Sequence, residues 1–215
     1  MKRFEKKKWV IILTLLVTLS PLFVGLILWN KLPTEIPTHY GITGEPDGYS
    51  SKAMTVFGLA PLMLRFQLLI LYVLGKDPKT AKLSNKVLNL VIWIIPVISL
   101  YNCLIVYGKA LNLPISVSKL TVLLFGVLFI LVGNYLPKTR QNRTIGIRLP
   151  WTLKNKNNWN KVHRLGGYLF IIAGVIMCLS VFLNENAMWI ITALLVVISV
   201  AVPTVYSYKL SEKEK

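Results

Sequence analysis

Acidic residues are scarce in this 215-residue chain, with 8 Asp and Glu against 25 Lys and Arg, and histidine and cysteine appear only twice each. None of the carboxylates falls inside a long apolar run, so the paired acids that move protons or bind cations within membranes are missing. Cys103 and Cys178 both lie within apolar runs. That placement excludes a disulfide framework and reads as two small core residues. His39 and His163 are far apart in the chain, and neither stands in a Cys/His metal spacing. A nucleophile elbow, a phosphate-cradling loop and an H-E-x-x-H helix are also absent. Taken together, these absences disfavour an enzyme and give no motif for a cofactor or a metal.

Apolar length and positive charge are abundant. The chain is 54% hydrophobic, with a mean hydropathy of +0.60 and a formal charge of +17. Such a charge raises the possibility of nucleic acid as a partner. The cations, however, sit in short connections between apolar runs, which is the pattern of a membrane orientation signal, so direct nucleic-acid binding is disfavoured. Six runs have roughly the length a bilayer needs: 9–29, 56–74, 87–107, 120–136, 165–182 and 188–206. The first follows the basic leader MKRFEKKK and lacks a small-residue cleavage site, so it reads as an uncleaved helix, bent or irregular near Pro21. The expected fold is an all-α polytopic membrane protein of six helices. It has a small outer loop domain between helices one and two and a basic loop, 137–164, between helices four and five. Residues 1–74 form the first part and 75–215 a four-helix region.

Lys and Arg divide unevenly across this layout. One side holds five in the leader, four in the connection at 75–86, eight in 137–164 and three in the tail. The other side holds Lys31, Lys52, Lys109 and Lys119. The positive-inside rule then puts both termini and the loop at 137–164 in the cytoplasm of a bacterial cell. Residues 30–52 face outward. Their three prolines and three glycines predict turns and extended chain, with one or two short strands around Thr38 and Tyr40. Gly126 and Gly133, and again Gly167 and Gly174, stand seven apart on one helical face, where small residues let helices approach closely.

The candidate functional residues fall into three groups. Glu35, His39, Glu45 and Asp47 form the outer contact set. A weak metal or proton-sensing cluster there competes with a solvated loop held by its own turns. Arg65 is the one charge deep in an apolar run, a costly position that has a function or bridges helices through Asn89, Asn102, backbone carbonyls, water or lipid phosphate. The third group lies in Gly133–Gly167, which carries eight cations and no acid. Trp151 and Trp159 among those cations suit an anionic inner leaflet, with indoles at headgroup level. Residues 144–153 read as extended chain turning at Gly146 and Pro150. Thr152 is a candidate N-cap of a short interfacial helix through Lys161, with Trp159 and Val162 on one face. His163 could titrate as a switch or simply sit at the interface.

The run GNYLPKTRQNRTIGIRLPWTL, followed by Trp159, His163, Arg164 and two glycines, resembles the signature of the SdpI family, the immunity proteins against the sporulation-delaying-protein toxin. The matching residues are Gly133, Asn134, Asn142, Ile145, Gly146, Arg148, Pro150, Trp151, Thr152, Trp159, His163 and Arg164. The stretch LPTEIPTHYGITGEPDGYSSK resembles the outer domain of unknown function that often precedes that signature, through Leu32, Pro33, Ile36, Pro37, His39, Gly44, Asp47, Gly48 and Lys52. The resemblance implies a multi-pass plasma-membrane protein that protects against a secreted membrane-active peptide and holds a cytoplasmic repressor at the membrane. Asn134, Asn142, Arg148, Pro150, Trp151, Thr152, Trp159, His163 and Arg164 would then meet a partner or lipid inside. A small-solute or lipid transporter or channel is the alternative, since Pro21, Pro61, Pro96 and Pro203 could break helices at binding depth.

Overall fold

The computed structural model describes residues 7–41, 43–76, 84–142 and 145–212. Most of the leader, the middle of the 75–86 connection, Arg143 and the last three residues lie outside them, as do the charges assigned to those places. The chain is mostly helical and divides into two units, one of residues 1–81 and 88–117 and the other of 82–87 and 118–215. Among the described residues, five helices are long and apolar enough to cross a membrane, or six if a bent pair counts as one span.

The bent pair opens the first unit. α1 (Lys8–Thr18) and α2 (Ser20–Ile27) meet at Leu19 with a 43° bend. Pro21, the second residue of α2, has no N–H to give back to the preceding turn, so the helix breaks ahead of it. Polar side chains of α4 (Asn85–Ala110) bond to carbonyls around this bend: Ser99 Oγ donates to Thr18 O and Tyr107 Oη to Pro21 O, both at 2.8 Å. Pro61 in α3 (Lys52–Lys76), Pro96 in α4 and Pro203 in α8 (Glu185–Glu212) do not interrupt their helices. Of the four prolines expected to break helices, only Pro21 stands at a break.

Between α2 and α3 the chain forms an antiparallel hairpin, β1 (Glu35–Tyr40) and β2 (Pro46–Ser51), irregular around Thr38. The fold is thus not wholly helical, and the expected strands around Thr38 and Tyr40 are this hairpin. Two strands alone are marginal in water. Ile36 anchors them by entering a core of Leu32, Val56, Cys103, Val106 and Tyr107 with none of its surface exposed. Lys52, counted above as an outer charge, works as a clasp. Its Nζ donates to Trp29 O and Leu32 O at 3.1 Å and lies 5.0 Å from the Trp29 ring.

In the second unit, α5 (Val117–Tyr135) runs antiparallel to α7 (Lys156–Ser180) across the glycine stripe. A methyl on Gly126 would lie 2.8 Å from Gly174 O, and one on Gly133 would lie 2.8 Å from Gly167 O. Nothing larger than hydrogen fits at this spacing, so the seven-residue repeat does bring two backbones together. Phe129 and Phe170 stack beside it with ring centroids 4.7 Å apart. A short turn leads from α7 into α8, whose first turn is capped by Asn184 Oδ1 accepting from Ala187 N–H.

Candidate functional site

The basic connector folds into a knot at the end of the α5–α7 pair. It begins with a 3-10 turn, Leu136–Lys138, and includes the five-residue helix α6 (Pro150–Lys154). Asn142 is buried and shapes the first bend, its Nδ2 donating to Arg140 O and Ile145 O and its Oδ1 accepting from Ile145 N–H. Gly146 follows at φ +116°, a conformation L side chains rarely adopt. Any side chain there would also run into His163 Nε2 and the Trp159 ring.

Those two rings are the floor of the knot. They stack at 3.8 Å, and both are buried. Trp159 Nε1–H donates to Thr139 O at 2.8 Å. Ile147 N–H donates to His163 Nε2 at 3.0 Å, while His163 Nδ1 lies 2.8 Å from Trp159 O. A nitrogen that accepts and a nitrogen that must donate define the neutral Nδ1–H tautomer. Thr152, also buried, accepts from Leu149 N–H through Oγ1 and directs its hydroxyl hydrogen toward Ile147 O and Leu149 O. Gln141 Nε2 ties the end of α6 down by donating to Thr152 O and Leu153 O.

Three expectations change here. Trp159 does not offer its indole to lipid headgroups, because its N–H finds a carbonyl inside the fold and its ring is covered by His163 and Gly146. Thr152 does not cap a helix reaching Lys161. It closes α6 on itself, and the chain turns at Asn155, whose Oδ1 accepts from Asn157 N–H and Asn158 N–H to cap α7. There is accordingly no separate interfacial helix, since α7 continues from Lys156 through the apolar run. His163 is engaged at both nitrogens as a brace rather than exposed at an interface. Asn142, Thr152, Trp159 and His163 are therefore buried where a contact surface was expected, and what they hold is the shape of the connector.

The exposed members of the set are Asn134, Arg148, Pro150 and Arg164, joined by Lys138, Arg140, Lys154, Lys156 and Lys161. Asn134 Oδ1 accepts from Lys138 Nζ. Trp151 is partly buried and packs its edge against Tyr208 of α8 at 5.6 Å. The arrangement offers exposed cations on a hydrogen-bonded frame, and residues 133–167 contain no Asp or Glu. The sequence reading missed Asn155, Gln141 and the pair Asn158–Ser207, in which Nδ2 donates to Ser207 O and Ser207 Oγ donates to Oδ1. Only the spacing of Trp159 and His163, one helical turn apart, hinted that the two rings would stack.

On the hairpin, Glu35, His39, Glu45 and Asp47 are all exposed. His39 Nδ1 and Asp47 Oδ1 pair across the strands at 2.5 Å. Glu35 stands opposite Ser51 at the other end of β1, so the four do not converge on one point. Among the described residues, no group of three or more His, Cys, Asp or Glu is placed to hold a metal. Burial pushes the Tyr40 phenol up to about 12, with Tyr49 adding to the effect. Its hydroxyl donates to Pro37 O.

Arg65 is exposed on α3 and faces a groove shared with Asn102 of α4. Of the partners expected for it, Asn89 accepts instead from Lys7 Nζ at 2.7 Å. Asn102 donates to Ile98 O within its own helix.

Comparison with known proteins bears on both segments. Residues 138–207 match the SdpI/YfhL protein family, and residues 10–64 match a domain of unknown function, DUF1648. Over 204 residues the chain is 26% identical to the Immunity protein SdpI of Bacillus subtilis (strain 168), covering 94% of this chain and 96% of that protein. No solved structure matches. The hairpin and the connector thus fall in the two matched segments, and the chain is a multi-pass membrane protein.

Proposed function

We propose that this relative of the SdpI family is an immunity and signalling protein of the bacterial plasma membrane, protecting its cell against a secreted membrane-active peptide. One observation carries the reading: the similarity to Immunity protein SdpI runs along 94% of the chain and takes in both the hairpin and the connector. The distribution of Lys and Arg supports an inward connector, inward termini and an outward hairpin. In that orientation Glu35, His39, Glu45 and Asp47 meet the arriving peptide. Arg148, Lys154, Lys161 and Arg164 meet anionic lipid of the inner leaflet and a cytoplasmic repressor.

The signalling step rests on packing. Peptide contact outside shifts α5 against α7 along the glycine stripe and re-aims the connector between them. Nothing in this scheme calls for catalysis. The test is a challenge of sensitive cells with secreted membrane-active peptides, with and without this chain expressed. Survival of the expressing cells is the expected result. Equal killing across a panel of such peptides overturns the reading.

A further inference from the structure

A groove of about 510 Å³ runs along α3 from the hairpin. At its mouth the hydroxyls of Thr38 and Ser50 lie 3.2 Å apart. Met54, Phe57 and Leu62 give it apolar walls, and Gly58 leaves one side open. Arg65 is the lining residue of α3 furthest from the hairpin, ten residues beyond Thr55 and so about 15 Å along the helix. No Asp or Glu is among the described residues that line the groove. Among the described residues Arg65 makes no hydrogen bond and no ion pair.

The order of these features selects a ligand. A guanidinium within an apolar span needs an anion or water. A phospholipid presents its anion at the polar end and its tails beyond, which is the reverse of this groove. An apolar peptide that ends in a carboxylate has the right order. We propose that the groove takes an apolar peptide segment with its carboxylate end leading, and that the carboxylate pairs with Arg65 while the backbone nearer the mouth meets Thr38 and Ser50. A planar guanidinium can hold a carboxylate through two parallel hydrogen bonds. The 15 Å span corresponds to about ten helical residues, or to about four or five extended ones. Identifying the natural ligand as a toxin rests on the immunity reading, whereas the charge preference does not.

The test uses the full chain in phosphatidylcholine nanodiscs. The probes are a fluorescent leucine-rich peptide of about ten residues with a free C-terminal carboxylate and its C-terminal amide twin. The carboxylate form should bind about tenfold more tightly, the scale of one charge-assisted contact. Arg65→Met should erase that preference and Arg65→Lys should keep part of it. Gly58→Leu should weaken both probes, since a Cβ there meets only the flexible Met54 side chain at 3.5 Å and the added bulk enters the groove. Equal binding of acid and amide to the unaltered chain overturns the proposal, as does a preference that survives Arg65→Met. Displacement of the acid probe by added phosphatidylglycerol assigns Arg65 to a lipid headgroup and also overturns it. The two readings fail separately. A chain that binds the acid probe selectively but gives no protection refutes immunity alone. One that protects its cell but binds the acid and amide probes equally refutes the groove alone.

Discussion

Gly146 occupies a backbone conformation at φ +116° that strains L side chains, and the space where a Cβ would point is already filled by Trp159 and His163. Gly146→Ala therefore meets backbone strain of about 1–3 kcal/mol and crowding of similar size. Trp159→Phe keeps most of the ring but leaves Thr139 O without its donor, a loss of about 1–3 kcal/mol. Thermal melting in detergent should rank Gly146→Ala below Trp159→Phe and both below the unaltered chain. A Gly146→Ala protein that melts like the unaltered one would show that the knot does not depend on this turn. Tyr40 supplies a pH-dependent effect. A phenol pushed up from 10.0 to about 12 keeps its proton longer in the folded state than in the unfolded one. The stability it contributes is fully present below pH 10 and is lost as pH rises through 12. Base titration should show less alkaline destabilisation across that window for Tyr40→Phe than for the unaltered chain.

Between elements, the α5–α7 stripe brings two helix backbones into direct contact. Methyls on Gly126 or Gly133 would stand 2.8 Å from a backbone carbonyl oxygen of the facing helix, which cannot rotate away as a side chain can. Gly126→Ala and Gly133→Ala should each cost about 1–3 kcal/mol by forcing the helices apart. Gly58→Ala on α3 should be neutral or slightly stabilising, because its surroundings are open and alanine favours helix. The measurement is the melting temperature of the three variants side by side. If all three behave alike, the stripe is not a tight contact. The stripe was legible beforehand because a seven-residue repeat always returns to one face of a helix. The break ahead of Pro21 was legible for a similar local reason. The continuity of α3, α4 and α8 through Pro61, Pro96 and Pro203 was not, since neighbouring groups decide whether a missing backbone hydrogen bond ends a helix.

For the molecule as a whole, the claim with most at stake is sidedness. Glu45 on the hairpin and Lys154 on the connector are both exposed, and the native Cys103 is buried while Cys178 is half-buried. Glu45→Cys should react with a membrane-impermeant maleimide in intact cells. Lys154→Cys should react only after the membrane is opened. Labelling in the opposite order would reverse the orientation proposed here and exchange the roles of hairpin and connector.

Hydropathy, the spacing of glycines and the placement of Lys and Arg were enough to read the helical spans, the extended chain around Thr38 and Tyr40, the small-residue stripe and the resemblance to the SdpI family. Each of these depends on residues a few positions apart, or on the composition of one segment. The fate of the connector's polar residues depended instead on partners distant in sequence. His163 accepts from Ile147, 16 positions away, Trp159 donates to Thr139, 20 away, and Asn158 is held by Ser207, 49 away. A tryptophan among lysines looks interfacial until a carbonyl from another part of the chain arrives to receive its N–H. Burial of such groups is favourable only when those partners are in place, and folding is what brings them there.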